Sequence, residues 1–280
     1  MPVTANASGP DPDEDLAPML RHIGRNMLAR TRAKLANSPE TREFLELGLA
    51  LLQADLLEHT GPDIEEGVRS RLFESLSRER IMTLAEERDS EQTLLLGDSM
   101  FRHRWPRKDF YTEDLIAYLF RLGPQERHFE EMADAGRAMM KEASFGQLIR
   151  LLAEAETAAV ASDPLANLQA ILQTALPKHP RVQEFSRAQY EYLLPRWAQL
   201  YEEVGAAYGL SLADGYTWGD MSLLFNSVVE GVILRARVEG GGPKLSNGEG
   251  ILASAIFAMV PTLIANCPQD LDALFPVKES

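Results

Sequence analysis

Hydrophobic residues recur along this chain at the three- and four-residue spacing of amphipathic helices, and alternating runs typical of strands are almost absent. Clear stripes begin at Phe44, Tyr111 and Met221, and proline or glycine residues separate one stripe from the next. The pattern therefore predicts an all-α protein.

The stripes and their breaks place the elements in order along the chain. Residues 1–15 are polar and acidic, and we expect them to form a disordered tail. Pro195 is expected to kink or split the helix that contains it. The predicted helices lie at 16–36, 39–57, 90–101, 108–122, 125–142, 145–161, 164–175, 181–208, 218–238 and 247–266, with shorter apolar stripes at 64–72 and 81–85.

The charge of the chain is strongly acidic but unevenly distributed. With 28 basic and 42 acidic residues among 280, the net charge is −14, which on average repels nucleic acid and anionic membranes. Residues 16–39 carry +5 with no acid, however, and residues 102–108 carry +4. Any contact with a polyanion is therefore expected on a small basic surface.

Residue types that would support catalysis or metal binding are sparse. The single cysteine excludes a disulfide framework and a multi-thiolate zinc site, and none of the five histidines follows a glutamate at the spacing of helical di-iron sites. No HExxH, G-x-S-x-G or P-loop motif occurs. We expect no catalytic residues, no metal, no cofactor and no enzymatic activity.

The N-terminus lacks the basic start and apolar stretch of a signal peptide. The longest apolar run, 251–264, is short for a membrane span and contains Pro261. These features predict a cytoplasmic protein with no membrane partner.

The densest basic segment is Arg-His-Arg-Trp-Pro-Arg-Lys at 102–108, where one short helix ends and the next begins. Basic side chains at a helix end, beside the partial positive charge of a helix N-terminus, suit contact with a DNA backbone. The alternative is a solvated helix end in which Trp105 fills the core.

Residues 98–110 resemble the end of the recognition helix and the start of the next helix in TetR-family regulators. Residues 197–209, 216–221 and 228–232 resemble the penultimate long helices of the same family. The chain departs from the family in its basic 16–36 segment and in an insertion at 60–90.

The resemblance implies a helix-turn-helix DNA-binding domain at 16–108, with an extra N-terminal helix and the insertion. A helical bundle at 109–270 would then bind ligand and form the dimer. The protein would be a homodimeric repressor that binds a palindromic operator in double-stranded DNA and is released by a partly apolar small-molecule effector. The expected DNA contacts are Ser99, Arg102, His103, Arg104, Arg107 and Lys108, with Arg102 the best candidate for reading bases.

The C-terminal helices supply the remaining expected sites. The effector pocket is expected to use Tyr190, Trp197, Tyr201 and Phe225. The expected dimer interface comprises Met221, Phe225, Val228, Val232, Leu252, Ile256, Met259 and Leu263. Burial of these stripes in the core of one chain would give the same pattern. The alternative function is a helical ligand- or protein-binding module whose degenerate helix-turn-helix does not read DNA.

Overall fold

The computed structural model describes residues 13–58, 72–73, 76–88, 96–239 and 241–277. Within these ranges the backbone pairs at two isolated bridges and forms no strand, so the predicted all-α class is confirmed. The described residues form eleven helices: α1 (Ala29–Ala36), α2 (Pro39–Leu56), α3 (Arg78–Arg88), α4 (Asp98–Arg104), α5 (Lys108–Leu119), α6 (Gly123–Met139), α7 (Phe145–Ser162), α8 (Pro164–Ala175), α9 (Pro180–Ala207), α10 (Trp218–Glu239) and α11 (Ile251–Leu263).

Most helices begin where capping residues and prolines predict. The Ser38 hydroxyl accepts a hydrogen bond from the Thr41 backbone at 3.3 Å, directly before Pro39 at the first position of α2. Ser144 and Gln147 form a reciprocal capping box at the start of α7. The expected split of α9 is wrong, because the helix continues through Pro195.

The predicted basic helix at 16–36 is also wrong over most of its length. Helix forms over Ala29–Ala36 alone, and the chain before it turns. Gly24 adopts a left-handed φ of 52°, which interrupts a helix, while Leu20 and Ile23 are fully buried. The turns thus place apolar side chains in the core and leave the neighbouring basic residues outside.

The chain divides into two compact units, and the division differs from the expected boundary after residue 108. The N-terminal unit contains the described residues up to Gly123 together with Pro164–Ser186. The helices α5 and α8 belong to it because Leu115 and Leu168 share one hydrophobic core with α2. Glu14 and Asp15, at the end of the expected acidic tail, also pack in this unit, where Asp15 accepts a hydrogen bond from Asn37 at 2.6 Å. Residues 1–12 of that tail lie outside the described residues.

The C-terminal unit contains Pro124–Asp163 and the described residues from Arg187 onward. Its centre is formed by α7, α10 and α11, whose apolar faces meet around Leu148, Phe225 and Leu252. Among the described residues, none of the helices has the length and apolarity needed to cross a lipid bilayer.

Candidate nucleic-acid interface and ligand cavity

The junction between α4 and α5 is anchored by the buried ring of Trp105. Its indole N–H donates to Oδ2 of Asp114 at 2.9 Å, and its ring centroid lies 5.0 Å from that of Tyr111. The Tyr111 hydroxyl in turn donates to the Phe44 carbonyl at 2.7 Å. Trp105 therefore belongs to the core, as the alternative interpretation held, and it also fixes the position of the basic residues around it.

Asp114 joins three parts of the N-terminal unit. Besides the Trp105 indole, its carboxylate accepts the His22 backbone N–H, at 3.0 Å from Oδ1. Burial raises the pKa of Asp114 to about 6, against the opposing effect of these donors. The carboxylate links α5 to the α4–α5 junction and to the turn that begins at His22.

The two basic segments of the sequence meet at this junction. The Gly24 backbone N–H donates to the Arg104 carbonyl at 3.0 Å. The guanidinium carbons of Arg25 and Arg107 lie 5.5 Å and 5.0 Å from the centre of the Phe110 ring. Residues about 80 positions apart in the chain therefore present their charges on one surface.

A groove of about 270 Å³ runs beside the junction and is lined partly by basic residues. Exposed basic side chains border the groove or lie at the Phe110 ring, and we call this set the basic face: Arg25, Arg78, Arg102, Arg107 and Lys108.

Two aspartates lie among these cations. Asp98 pairs with Arg102 at 2.8 Å and also with Arg78, while Asp109 pairs with Arg107 at 2.6 Å. Exposed ion pairs contribute little free energy. The arginines can therefore leave these aspartates and bind phosphate groups with little loss of free energy.

Five of the six expected DNA-contacting residues lie on the surface of the N-terminal unit: Ser99, Arg102, His103, Arg107 and Lys108. Arg104 does not, since its side chain is 5 % exposed. It donates to the Thr41 hydroxyl at 2.8 Å and pairs with Glu40 at 3.0 Å, so it fastens α4 to the start of α2. The expected phosphate contact of Arg104 is therefore wrong, because its guanidinium is bound by residues more than 60 positions earlier in the chain.

Comparison with protein-family models, curated proteins and solved structures gave no match. The turn that would precede a recognition helix falls at 89–95, outside the described residues, as do positions 60–71, 74–75 and 89–90 of the expected insertion. The helix-turn-helix arrangement therefore stays a prediction.

The C-terminal unit contains a cavity of about 120 Å³ between α6, α7, α9, α10 and α11. Three of the four expected pocket residues line it, with ring centroids 5.9 Å apart between Trp197 and Tyr201 and 5.4 Å apart between Tyr201 and Phe225. The expected role of Tyr190 is wrong, because its side chain lies outside the cavity and its hydroxyl donates to Glu230 at 2.8 Å.

Two polar residues that the sequence did not single out, Glu156 and Asn226, also line the cavity. One oxygen of Glu156 lies 2.7 Å from Nε2 of His128. Burial alone would lower the pKa of His128, but the hydrogen bond and charge of Glu156 outweigh it and raise the pKa above its ordinary value. Neither residue could be recognised from the sequence, because isolated polar positions on a helix usually face solvent.

The expected dimer interface lies largely in the core of the chain itself. Five of its residues are buried within the C-terminal unit: Met221, Phe225, Val232, Leu252 and Leu263. The other three, Val228, Ile256 and Met259, pack against the same core. The interface assignment is therefore wrong for these five buried residues, because the periodicity of α10 and α11 arises from burial against α7 in the same chain. For Val228, Ile256 and Met259, which are only partly buried, it stays a prediction.

A different face of α10 carries exposed apolar side chains. Leu223 is 54 % exposed, Leu224 39 %, Leu234 62 % and Val238 83 %. Ser227 and Gly231 lie between them at helical spacing.

Proposed function

We propose that this protein is a ligand-responsive DNA-binding regulator of the TetR type. Its basic face contacts the phosphates of a DNA duplex, and the cavity of its C-terminal unit holds a small-molecule effector. The observation that carries the proposal is the meeting of two distant basic segments at the α4–α5 junction. The buried ring of Trp105 beneath this surface supports the proposal. Cations that are already held in position lose little conformational entropy when they bind a ligand.

The surrounding residues indicate how DNA would be bound. Arg107 and Lys108 stand at the N-terminus of α5, where the helix dipole adds to the attraction for phosphate. Ser99, Arg102 and His103 are exposed on α4, the helix that would reach base edges in the major groove. Arg102 has the donor geometry to bind guanine in a bidentate manner once it leaves Asp98.

A palindromic operator requires two copies of the chain. In the proposal, the exposed apolar face of α10 forms the dimer contact. The small residues Ser227 and Gly231 allow close approach there, since a Cβ built at Gly231 meets nothing within 4 Å. Release by effector, and hence repression, follows the resemblance to the family.

The test is fluorescence anisotropy with two DNA duplexes, one from upstream of the gene and one scrambled, over a series of salt concentrations. We expect tighter binding to the upstream duplex and a steep loss of affinity with salt. Lys108→Gln should weaken binding to both duplexes and reduce the salt slope by about 1. Lys178→Gln, a change of an exposed lysine in the same unit, is the matched control and should change neither. Failure of the wild type to bind either duplex at low salt would contradict the proposal.

The second candidate is a helical ligand-binding module that does not read DNA. Pairing of Asp98 and Asp109 with cations of the basic face favours it, since these carboxylates reduce the local positive charge. It predicts ligand binding in the C-terminal unit together with no DNA binding in the anisotropy experiment.

A further inference from the structure

The cavity of the C-terminal unit is apolar over most of its wall, but three polar side chains are among the residues that line it. They are those of Glu156, Asn226 and Tyr201. An apolar pocket with a few convergent polar groups is the usual form of a small-molecule site. A ligand whose donors or acceptors match these side chains can form hydrogen bonds with them in addition to its apolar contacts.

The chemistry of these groups restricts the ligand. A carboxylate such as Glu156 only accepts hydrogen bonds, so its ligand has to donate one. Burial, together with the charge of Glu156, raises the pKa of Tyr201, which keeps this residue a neutral phenol. An anionic ligand would be brought into an apolar space beside the Glu156 charge, which opposes its binding.

The shape of the cavity restricts the ligand further. Its volume of about 120 Å³ is close to the ~150 Å³ of an apolar cavity that binds benzene. The rings of Trp197, Tyr201 and Phe225 contribute aromatic faces to the wall. Flat aromatic molecules gain contact energy against such rings.

We propose that the cavity binds a single-ring aromatic molecule that carries a hydroxyl or N–H donor, with that donor bonded to Oε1 of Glu156. His128 lies 2.7 Å from Oε2 of Glu156, and this contact fixes the orientation of the carboxylate. The same carboxylate selects against aromatic carboxylates. The inference rests on the proposed function only in treating this cavity as the effector site.

The test is isothermal titration calorimetry of the full chain, without DNA, against p-cresol, toluene and benzoate. These three probes have similar rings and differ in having a donor, no polar group or an anion. We expect p-cresol to bind about tenfold more tightly than toluene, as one hydrogen bond to a charged acceptor provides. Benzoate should not bind at concentrations that saturate the cavity with p-cresol.

Two substitutions in α7 test whether Glu156 causes the preference for p-cresol over toluene and benzoate. Glu156→Gln should remove most of the difference between p-cresol and toluene and should permit benzoate binding. Glu154→Gln, a change of an exposed carboxylate on the same helix, is the matched control and should leave all three affinities unchanged.

Several results would overturn the inference: equal binding of p-cresol and toluene, benzoate binding as tight as that of p-cresol, or no binding of any probe at millimolar concentration. The comparison of probes on the wild type does not depend on a variant that folds. If the protein binds DNA but no probe, the inference fails and the DNA-binding function stands. If p-cresol binds selectively but DNA does not bind, the regulatory function fails and the inference stands.

Discussion

Asp114 shows how one residue connects the stability of the N-terminal unit to pH. Its pKa is raised to about 6 in the folded chain, chiefly by burial, against an ordinary value of 3.8. The folded state therefore binds a proton more tightly than the unfolded state does between these values. The stabilisation from that proton is complete below about pH 4 and is lost as the pH rises through about 6.

We expect Asp114→Asn to remove this dependence. The difference in unfolding free energy, wild type minus variant, should fall by roughly 2–3 kcal/mol between pH 4 and pH 7. Urea unfolding at a series of pH values measures it. The variant also loses acceptor capacity toward Trp105 and His22, so we expect its unfolding free energy to be lower at all pH values. The raised pKa is therefore tested by how the difference between the two proteins changes with pH. Parallel curves for the two proteins would contradict the raised pKa.

Single residues also show what the sequence could not reveal. The charge of Arg104 is visible in the sequence, but its partners Ser38 and Glu40 come from a helix more than 60 positions earlier. Burial of its guanidinium depends on tertiary packing, which local pattern does not encode. Glu156 was missed for the same reason, because only the packed bundle shows that its carboxylate borders a cavity.

Helices were predictable where local signals agree with tertiary packing. The predicted 164–175 segment and α8 have the same bounds, and Ser38 with Pro39 marks the start of α2 as it would in isolation. The 16–36 segment was predicted wrongly because its local pattern does not show that Gly24 adopts a left-handed φ, which places the turn against Arg104. Apolar periodicity in α10 and α11 revealed buried faces but not which partner buries them.

The exposed face of α10 carries a prediction at the scale of an element. If two chains associate through it, Leu234→Glu should place a charge in the contact and convert the dimer to a monomer. Size-exclusion chromatography with light scattering measures the mass. Leu151→Glu, on an exposed leucine of α7, is the control and should leave the mass unchanged. A monomeric wild type at tens of micromolar would contradict the dimer.

For the whole molecule, the distribution of charge matters more than its total. The net charge of −14 opposes non-specific association with polyanions over most of the surface. The basic face draws its cations from segments about 80 residues apart and so confines the attraction to one part of the N-terminal unit. If the protein binds DNA as proposed, this arrangement favours weak non-specific binding and a large gain in affinity where the shape and bases of the duplex fit the protein.

The proposed regulation also makes a prediction about the whole molecule, because an effector and DNA that share one protein are linked thermodynamically. If the effector lowers the affinity for DNA by some factor, DNA lowers the affinity for effector by the same factor, typically about 5- to 150-fold. The measurement compares the Kd for the upstream duplex with and without saturating p-cresol, and the Kd for p-cresol with and without saturating duplex. The two ratios should agree and exceed one. Ratios of one would leave a DNA-binding protein and a ligand-binding cavity with no regulatory connection, since a ligand of equal affinity for both states shifts nothing.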